Sequence, residues 1–400
     1  MKRKIGMLTL LLVATTTLAT AQNKSLFNPV YTGVTSLTIA PDSRAGALGD
    51  VGVATEADVN SQYWNPAKYP FTISPAGVSL AYTPWLRQLV SDIDLANLTG
   101  YYRIGDYQAV SGSLTYFSLG DVIDIANNYT IRPYEMAVDF AYSRMLSETF
   151  SASVGLRFIY SDLQYNYDDE VTPGSAFAAD ISLFHSGYVF LGQRECMFNW
   201  GLNASNIGSK ISFDGGNTNQ FIPTNLRLGA ALKVPVDEYN SFTLTADANK
   251  LMVPTKPTYR QFLDEEFGAD FEDASYSYAS EYQSWLDAKG YNDISPIAGI
   301  FKSFHDAPGG MEEELREIYW GAGLEYGYND QFFLRAGYHY ENEYKGNRKY
   351  VTVGAGFKMS VFSLDAAYLV STSQSNPLDQ TLRFTLSFDM DGIREMFGRR

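Results

Sequence analysis

Apolar and polar residues alternate along much of this chain. In the segment 381–389, apolar side chains fall on one face of an extended strand and polar ones on the other. The apolar face consists of Leu382, Phe384, Leu386 and Phe388, and the polar face of Arg383, Thr385, Ser387 and Asp389. Comparable stripes recur at 152–160, 226–232, 242–248 and 332–340, and their polar faces carry Arg157, Arg227, Lys233, Asp247, Asn249, Arg335 and His339. This period of two predicts β-strands with one apolar face.

About fourteen segments show this pattern, an even number of strands as expected of a single-chain outer-membrane barrel. They lie near residues 76–83, 95–104, 107–118, 134–143, 149–161, 175–185, 197–205, 224–234, 240–250, 317–328, 331–341, 349–359, 361–370 and 381–389. Many have the length of about nine to eleven residues that a lipid-facing strand needs. The pattern predicts an all-β membrane protein, a 14-stranded antiparallel outer-membrane β-barrel over residues 76–389. A soluble β-sandwich also alternates and is the other interpretation.

Short and long connections alternate between the predicted strands. Short links occur near 105–106, 146–148, 237–239, 329–330 and 360, and longer polar loops near 84–94, 119–133, 162–174, 206–223, 251–316, 342–348 and 371–380. Short turns on the periplasmic side and long loops outside are typical of such barrels. The connection around 188–195 is predicted to be longer than this rule expects.

The composition supports a barrel. Aromatic residues make up 15% of the 400 residues, with 29 Tyr and 25 Phe. Many of the tyrosines fall near the ends of predicted strands, where amphipathic rings sit at the lipid–water boundary of membrane barrels. The formal net charge of −15 argues against a nucleic-acid-binding protein.

The start of the chain has the features of an export signal. A basic stretch at Lys2–Lys4 precedes an apolar run from Ile5 to Ala14, and the small-x-small pattern at Ala19–Ala21 follows. Residues 1–21 are therefore predicted to be a cleaved signal peptide that directs export. Export together with the predicted barrel places the mature chain in the outer membrane of a Gram-negative bacterium. At the other end, residues 390–400 are predicted to form a C-terminal tail.

Residues 22–75 do not alternate and are predicted to form a plug, or hatch, in the barrel lumen. They are rich in small residues, which let a backbone pack closely against a wall. Their glycines lack the spacing of a phosphate-binding loop. The candidate plug residues are Arg44, Gly46, Gly49, Asp50, Gly52, Trp64, Asn65, Pro66 and Ala67. The other interpretation is a flexible periplasmic tail.

The segment 251–316 is far longer than a hairpin loop. Because short and long links alternate along the chain, this link is predicted to lie with the other long loops, outside the cell. Between Pro254 and Glu317 there are 14 acidic and 5 basic residues. Apolar residues in 259–267 and 278–288 recur at helical spacing, so the insert is expected to be partly helical. The candidate cargo or partner contacts are Phe262, Phe267, Tyr278, Tyr282 and Trp285. A merely solvated acidic lid is the alternative.

The residues offer little for catalysis or metal binding. The chain has one cysteine and three histidines, and His185, His305 and His339 lie far apart in sequence. The motifs of serine hydrolases, zinc proteases, P-loops and EF-hands are missing from the sequence. We therefore predict a non-enzymatic protein without catalytic or metal-binding residues and without a cofactor.

The segment 40–55, together with Asn60–Lys68, resembles the PorV (LptO) family of outer-membrane proteins of the type IX secretion system. The resemblance covers essentially the mature chain. More distantly, Asn65-Pro66-Ala67 ahead of fourteen strands is similar to the FadL family of long-chain fatty-acid transporters, whose N-terminal segment forms a hatch in the lumen. Unlike many barrels, this chain continues for twelve residues beyond Phe388.

Resemblance to the PorV family implies a cargo shuttle in the outer membrane. Such a protein docks beside a translocon barrel of the Sov or SprA type and receives cargo by its folded C-terminal sorting domain. It then delivers the cargo to an attachment complex with proteins of the PorU, PorQ and PorZ type. The extracellular loops, above all 251–316, are the expected docking surface.

Two other functions remain open from the sequence. A FadL-type transporter of hydrophobic solutes fits the barrel and plug, although an acidic lid would repel anionic fatty acids. A lipid A O-deacylase is implied by the LptO name, but it would need a nucleophile beside an oriented base.

Overall fold

The computed structural model describes residues 27–390 except 88–89, 91, 125–128, 164–171, 217–218, 269–277 and 374–377. The predicted signal peptide 1–21 and residues 391–400 of the predicted tail lie outside the described residues. Fourteen antiparallel strands form a closed barrel. The fold predicted from the alternating pattern is confirmed.

The strands, numbered along the chain, are β1 (Ala76–Pro84), β2 (Ile93–Ile104), β3 (Gln108–Leu119), β4 (Val122–Asp124), β5 (Tyr129–Ile131), β6 (Tyr134–Ser147), β7 (Phe150–Asp162), β8 (Gly174–Leu191), β9 (Arg194–Gly208), β10 (Asn225–Pro235), β11 (Asn240–Leu251), β12 (Tyr319–Tyr328), β13 (Phe332–Tyr340), β14 (Lys349–Lys358), β15 (Phe362–Ser371) and β16 (Leu382–Asp389). β4 and β5 form a separate hairpin in the long link after β3, which the pattern did not predict. The other fourteen strands form the barrel.

The barrel closes between its first and last strands. β1 pairs with β16 from Gly77 opposite Asp389 to Tyr82 opposite Phe384, and β2 pairs with the other edge of β1. Closure pairs the backbone groups that a sheet edge would leave free, which a strand inside a membrane requires.

Side chains alternate between lipid and lumen as the sequence pattern predicts. On β16, Phe384 is 44% exposed on the outer face, whereas its neighbour Arg383 is 2% exposed on the inner one. β13 repeats the arrangement, with Leu334 exposed and Arg335 buried. The apolar stripes therefore form the lipid-facing surface, and the polar stripes line the lumen.

The connections at one end of the barrel have two to four residues, at 105–107, 148–149, 192–193, 236–239, 329–331 and 359–361. Longer links occupy the other end, which is the extracellular end by the usual asymmetry of these barrels. The predicted long link near 188–195 is wrong, because β8 and β9 continue until only Gly192 and Gln193 join them. The sequence misled here because Tyr188–Leu191 is apolar on both faces and does not alternate.

The N-terminal segment, 27–75, lies inside the barrel. It contains the short helices α1 (Ser43–Ala47) and α2 (Ser61–Trp64) and 3₁₀ helices at Thr35–Thr38 and Pro66–Phe71. α1 packs against β13 to β16, while Pro66–Phe71 packs against β2, β3 and β6 to β8. A segment that touches strands on opposite sides of a closed barrel must occupy its lumen. The predicted luminal plug is thereby confirmed as part of the fold.

The long link between β11 and β12 contains four helices, α3 (Tyr259–Phe267), α4 (Ala279–Ala288), α5 (Pro296–Lys302) and α6 (Met311–Arg316). A capping box starts α3, because Thr258 Oγ1 accepts a hydrogen bond from Gln261 N and Gln261 Oε1 accepts one from Thr258 N. The predicted helical character of the insert is confirmed. None of the helices in the described part of the chain has the length and apolar character needed to cross a membrane.

Candidate functional site in the lumen and its extracellular cap

The plug runs through the lumen from the extracellular end to the periplasmic end. At its start, Asn28 N donates a hydrogen bond to Tyr344 O at 2.9 Å, in the long link after β13. At its end, Arg103 Nη1 donates one to Thr72 O at 2.5 Å, close to the short turn after β2. The described chain therefore enters the barrel from outside and leaves it at the periplasmic rim, where β1 begins.

Asp50 fastens the plug to β14 and β16. Its carboxylate forms an ion pair with Arg383 and accepts a hydrogen bond from the Tyr350 hydroxyl. Arg383 also passes directly against Gly46, where an added Cβ would overlap the guanidinium group. Gly46 is therefore needed for space, since it lets the Arg383 side chain reach Asp50.

Arg44 joins a chain of alternating charges that crosses from the plug into the barrel wall. It lies 3.0 Å from Asp58 in the plug and 3.2 Å from Glu325 on β12. Glu325 in turn contacts Arg335 on β13 at 2.6 Å, and Arg335 contacts Asp365 on β15 at 2.6 Å. Buried charges cost least when each has an opposite neighbour, and this chain provides one for each member.

Gly49, Gly52 and Trp64 fix the turn that follows α1. Gly49 has φ of +79°, and a Cβ there would lie 2.6 Å from Tyr338 O, so both conformation and space require glycine. Gly52 packs directly on the Trp64 ring. Trp64 Nε1 donates a hydrogen bond to Asp42 Oδ2 at 2.6 Å. These residues form the tightly packed middle of the plug.

Asn65 is completely buried and uses both ends of its amide. Nδ2 donates to Val53 O at 3.1 Å within the plug and to Leu183 O at 2.9 Å on β8. Oδ1 accepts from Ala67 N at 3.1 Å and caps the following 3₁₀ helix. One side chain thus joins two parts of the plug to the barrel wall.

Pro66 and Ala67 extend this attachment to two further strands. Pro66 O accepts a hydrogen bond from Ser143 Oγ on β6 at 2.8 Å, and Ala67 O accepts one from Ser151 Oγ on β7. The Asn-Pro-Ala element therefore binds three consecutive strands of the wall through its amide and carbonyl groups.

The sequence analysis missed two charged residues that hold the same region. Asp247 on β11 accepts hydrogen bonds from Gly52 N at 2.8 Å and Val53 N at 3.0 Å. Lys68, only 1% exposed, donates to Gly52 O at 2.8 Å and Thr55 Oγ1 at 3.1 Å. The sequence analysis had placed Asp247 on the polar face of a predicted strand, but its backbone partners could not be identified from spacing.

The insert has a small hydrophobic core of its own. Phe262 of α3 and Trp285 and Leu286 of α4 are buried there, and Leu263, Tyr278, Tyr282 and Tyr291 pack around them. The expectation that Phe262 and Trp285 contact a partner is therefore corrected, because helix-spaced rings in a small unit are needed for its core. Phe267 is 43% exposed and lies at the edge of this cluster.

Ion pairs anchor the insert to the rim of the barrel. Lys250, at the end of β11, lies 3.0 Å from Glu314 and 2.6 Å from Glu317. Lys345, in the link after β13, lies 3.0 Å from Glu317 and also pairs with Glu313. The acidic side of α6 thus faces the barrel, so the insert forms an attached cap.

The other side of the last two insert helices is apolar and exposed. We define the cap patch as Ile297, Phe301, Met311 and Leu315, whose exposed fractions range from 57% to 70%. Ile297 and Phe301 are spaced i,i+4 on α5, as are Met311 and Leu315 on α6, so each helix presents one apolar stripe. The sequence analysis did not select these residues, since they lie outside the two helical stretches it recognised.

Asp306 is a titratable group inside the cap. Burial raises its pKa to about 6, and Glu314 and Glu317 act in the same direction, against a hydrogen bond from Thr255 N. Asp306 Oδ2 accepts that bond at 3.2 Å. The cap therefore contains a carboxyl group that titrates close to neutral pH.

Two of the three histidines pack against aromatic rings of the barrel wall. The buried ring of His339 stacks on Tyr350, with centroids 4.7 Å apart, and its Nδ1 lies 3.3 Å from Gly49 O. His185 stacks on Trp200 instead. Within the described residues, no group of three His, Cys, Asp or Glu side chains is placed to hold a metal ion.

A comparison of the chain with sequence models of protein families finds a match. The sequence model of the family described as "Type IX secretion system protein PorV" matches residues 20–258. No curated protein matches the chain.

Several solved structures resemble the chain at low identity. The Ralstonia pickettii toluene transporter TbuX is 11% identical, with 92% of this chain and 99% of that chain covered and a TM-score of 0.46. The Pseudomonas putida toluene transporter TodX is 9% identical, with 86% and 95% covered and a TM-score of 0.46. A Pseudomonas aeruginosa FadL homologue is 10% identical, with 90% and 99% covered and a TM-score of 0.42. These similarities are too distant to assign a ligand to this chain.

Proposed function

We propose, from the premise that this chain belongs to the PorV family of type IX secretion system proteins, that it is a cargo shuttle of that system. The protein is an integral outer-membrane β-barrel. In the proposed function it binds a translocon barrel of the Sov or SprA type and the folded C-terminal sorting domain of secreted cargo. It then passes the cargo to surface attachment proteins of the PorU, PorQ and PorZ type.

The observation that carries this proposal is the cap. It is an ordered unit with its own core, anchored by Lys250 and Lys345, and it keeps the four large apolar side chains of the cap patch exposed. Exposed apolar anchors surrounded by polar residues are characteristic of protein-binding surfaces. The proposed role of the cap patch is to bind the sorting domain of cargo outside the membrane.

The lumen supports a binding protein more than a solute channel. Where the plug meets the wall, the contacts are ionic and backbone hydrogen bonds, such as Asp50 with Arg383 and Arg44 with Glu325. A hydrophobic solute would have to break these pairs and would offer no polar group in return. We therefore propose no transport activity and no enzymatic activity, the deacylase included.

The test replaces three patch residues in the full-length protein, as Phe301→Ser with Met311→Ser and Leu315→Ser. We expect the barrel to remain heat-modifiable on gels while cargo accumulates unreleased, because the anchors are gone but the cap core is untouched. The matched control is Leu228→Ser with Leu244→Ser, which removes exposed apolar side chains from the lipid-facing wall. Normal secretion by the triple variant, or equal loss in the control, would refute the proposed role of the cap patch.

A further inference from the structure

The β8–β9 hairpin projects beyond β7 at the periplasmic end of the barrel. β7 stops pairing with β8 at Phe150 opposite His185, and β10 stops pairing with β9 at Lys233 opposite Met197. β8 and β9 nevertheless remain paired as far as Leu191 opposite Arg194. Six residues of β8, 186–191, thus extend about 20 Å along the strand past the last β7 pair.

The projecting part exposes large apolar side chains. Tyr188 is 67% and Phe190 is 70% exposed, and Val189 and Leu191 are also exposed. An isolated two-stranded hairpin is marginal in water, and exposed apolar edges are usually protected. This hairpin therefore has the character of a surface that is covered when the protein works.

The exposed rings are not directed at lipid. On β8 the even-numbered positions face the lumen, as the buried Ser182 and Phe184 show, and Tyr188 and Phe190 continue that face below the rim. The odd-numbered positions, such as Ile181 and Leu191, face outward. A membrane surface can cover Leu191 but not the two aromatic rings on the opposite face.

Tyr188 and Phe190 also point their backbone N–H and C=O groups toward the open edge of β8. Ser186 N donates a hydrogen bond to Thr149 O at 2.9 Å, so residue 186 points its backbone groups toward β7. In a strand every second residue points the same way, so Tyr188 and Phe190 also direct their N–H and C=O groups to that side. β7 has already ended there, and the described residues provide no further strand along this edge.

We infer that the free edge of β8 at 187–191 is a docking site for an extended segment of a periplasmic protein, which adds to it as a further β-strand. Strand addition satisfies the N–H and C=O groups of Tyr188 and Phe190, which neither lipid nor a helix can do along an edge. The segment places alternate apolar side chains on the two rings. It also carries a basic residue, because Glu195 shares the lumen face and Glu148 is exposed in the adjoining turn.

This site lies at the opposite end of the barrel from the cap patch, so it is independent of the proposed cargo contact. Its test is photocrosslinking in intact cells with p-benzoylphenylalanine in place of Tyr188. We expect this variant to form a discrete adduct with a second protein. When the crosslinker replaces the outward-facing Leu191 instead, we expect the yield of that adduct to be at least tenfold lower.

Phe190→Pro tests the edge itself. Proline removes the N–H that points to the open side and leaves the β8–β9 pairing intact, so the Tyr188 adduct should fall at least tenfold. Phe190→Val is the matched control, because it keeps the N–H and an apolar side chain, and it should retain the adduct. If the proline variant loses heat-modifiability, Phe190→Lys replaces it, since a positive charge opposite Glu195 repels a basic segment.

Four outcomes would overturn the inference: a folded protein without an adduct, an adduct with lipid only, an adduct at the mass of two copies of this chain, and an unchanged adduct in the Phe190→Pro or Phe190→Lys variant. The second would identify the hairpin as a membrane anchor, and the third as a contact between two copies.

Discussion

At the scale of single residues, the plug is held by side chains whose partners lie far away in the sequence. Asp50 and Arg383 are 333 positions apart, and Asn65 and Leu183 are 118 apart. The sequence identified Asp50, Asn65 and Gly46 as unusual because they stand in a non-alternating, glycine-rich segment. It could not identify their partners, since alternation places a residue on the lumen face without saying what it meets.

Asn65→Ala should loosen the plug. It removes three hydrogen bonds, each worth about 1 kcal/mol, and leaves the Leu183 carbonyl without its plug donor. The expected result is faster leakage of small solutes into liposomes that contain the purified protein. Asn60→Ala is the control, because Asn60 is also buried in the plug but its Oδ1 has no hydrogen-bond partner. Equal leakage from the two variants would contradict the role of Asn65.

Because of Asp306, we expect the stability of the cap to depend on pH. Its pKa is raised from 3.8 to about 6, so the folded cap binds the proton more tightly than the unfolded one. Stability should therefore rise as the pH falls from about 7 through 6 toward 4. The measurement is the urea concentration at which protease begins to cut the cap, compared at about pH 5 and pH 7.5. Asp306→Asn should remove most of this difference, and a cap that weakens at the lower pH would contradict it.

At the scale of elements, the insert contains buried and exposed aromatic residues that cannot be distinguished in the sequence. Phe262 lies in the core between α3 and α4, at 2% exposed, whereas Phe301 on α5 is 69% exposed. Helical spacing predicted α3 and α4. The aromatic residues it suggested as partner contacts, however, include those that form the core of the cap. Which face of a short helix is left uncovered depends on how the four helices pack, so the cap patch was not predictable.

Phe262→Ala should therefore destabilise the cap, and Phe301→Ala should not. The first empties part of the cap core and should cost the cap about 3–5 kcal/mol, so that protease cuts 251–316 readily while the barrel stays intact. Phe301→Ala removes the same ring from an exposed position and should leave protease resistance unchanged. Limited proteolysis of whole cells compares them, and similar cleavage of both would mean that the cap core is not organised around Phe262.

At the scale of the whole molecule, the plug gives the chain an unusual path. The described N-terminal residues lie beside Tyr344 and the cap, and the chain then passes down through the lumen to begin β1 at the periplasmic rim. The first described residues thus lie at the extracellular end of the barrel, although the first strand starts at the periplasmic end. The acidic cap and the β8–β9 hairpin lie at opposite ends of this closed structure.

Cysteine labelling can establish this path. In a Cys196→Ser background, Phe27→Cys should react with a membrane-impermeant maleimide on intact cells, since Phe27 is 61% exposed at the extracellular end. Tyr239→Cys, similarly exposed in the short turn before β11, should react only after lysis. Labelling of position 27 only after lysis would mean that the plug enters the lumen from the periplasm.

The sequence by itself determined the barrel, its strand number, the lipid and lumen faces and the helices α3 and α4. These features depend on local periodicity, because a strand shows its two faces every second residue and a helix every third or fourth. Only the tertiary structure decided which charges meet inside the lumen, which rings of the cap are buried and how far β8 and β9 extend. Those features depend on contacts between distant segments, as Asp50 with Arg383 and Lys250 with Glu317 show. Such pairs form only when the chain has folded and brought those segments together, so no local pattern records them.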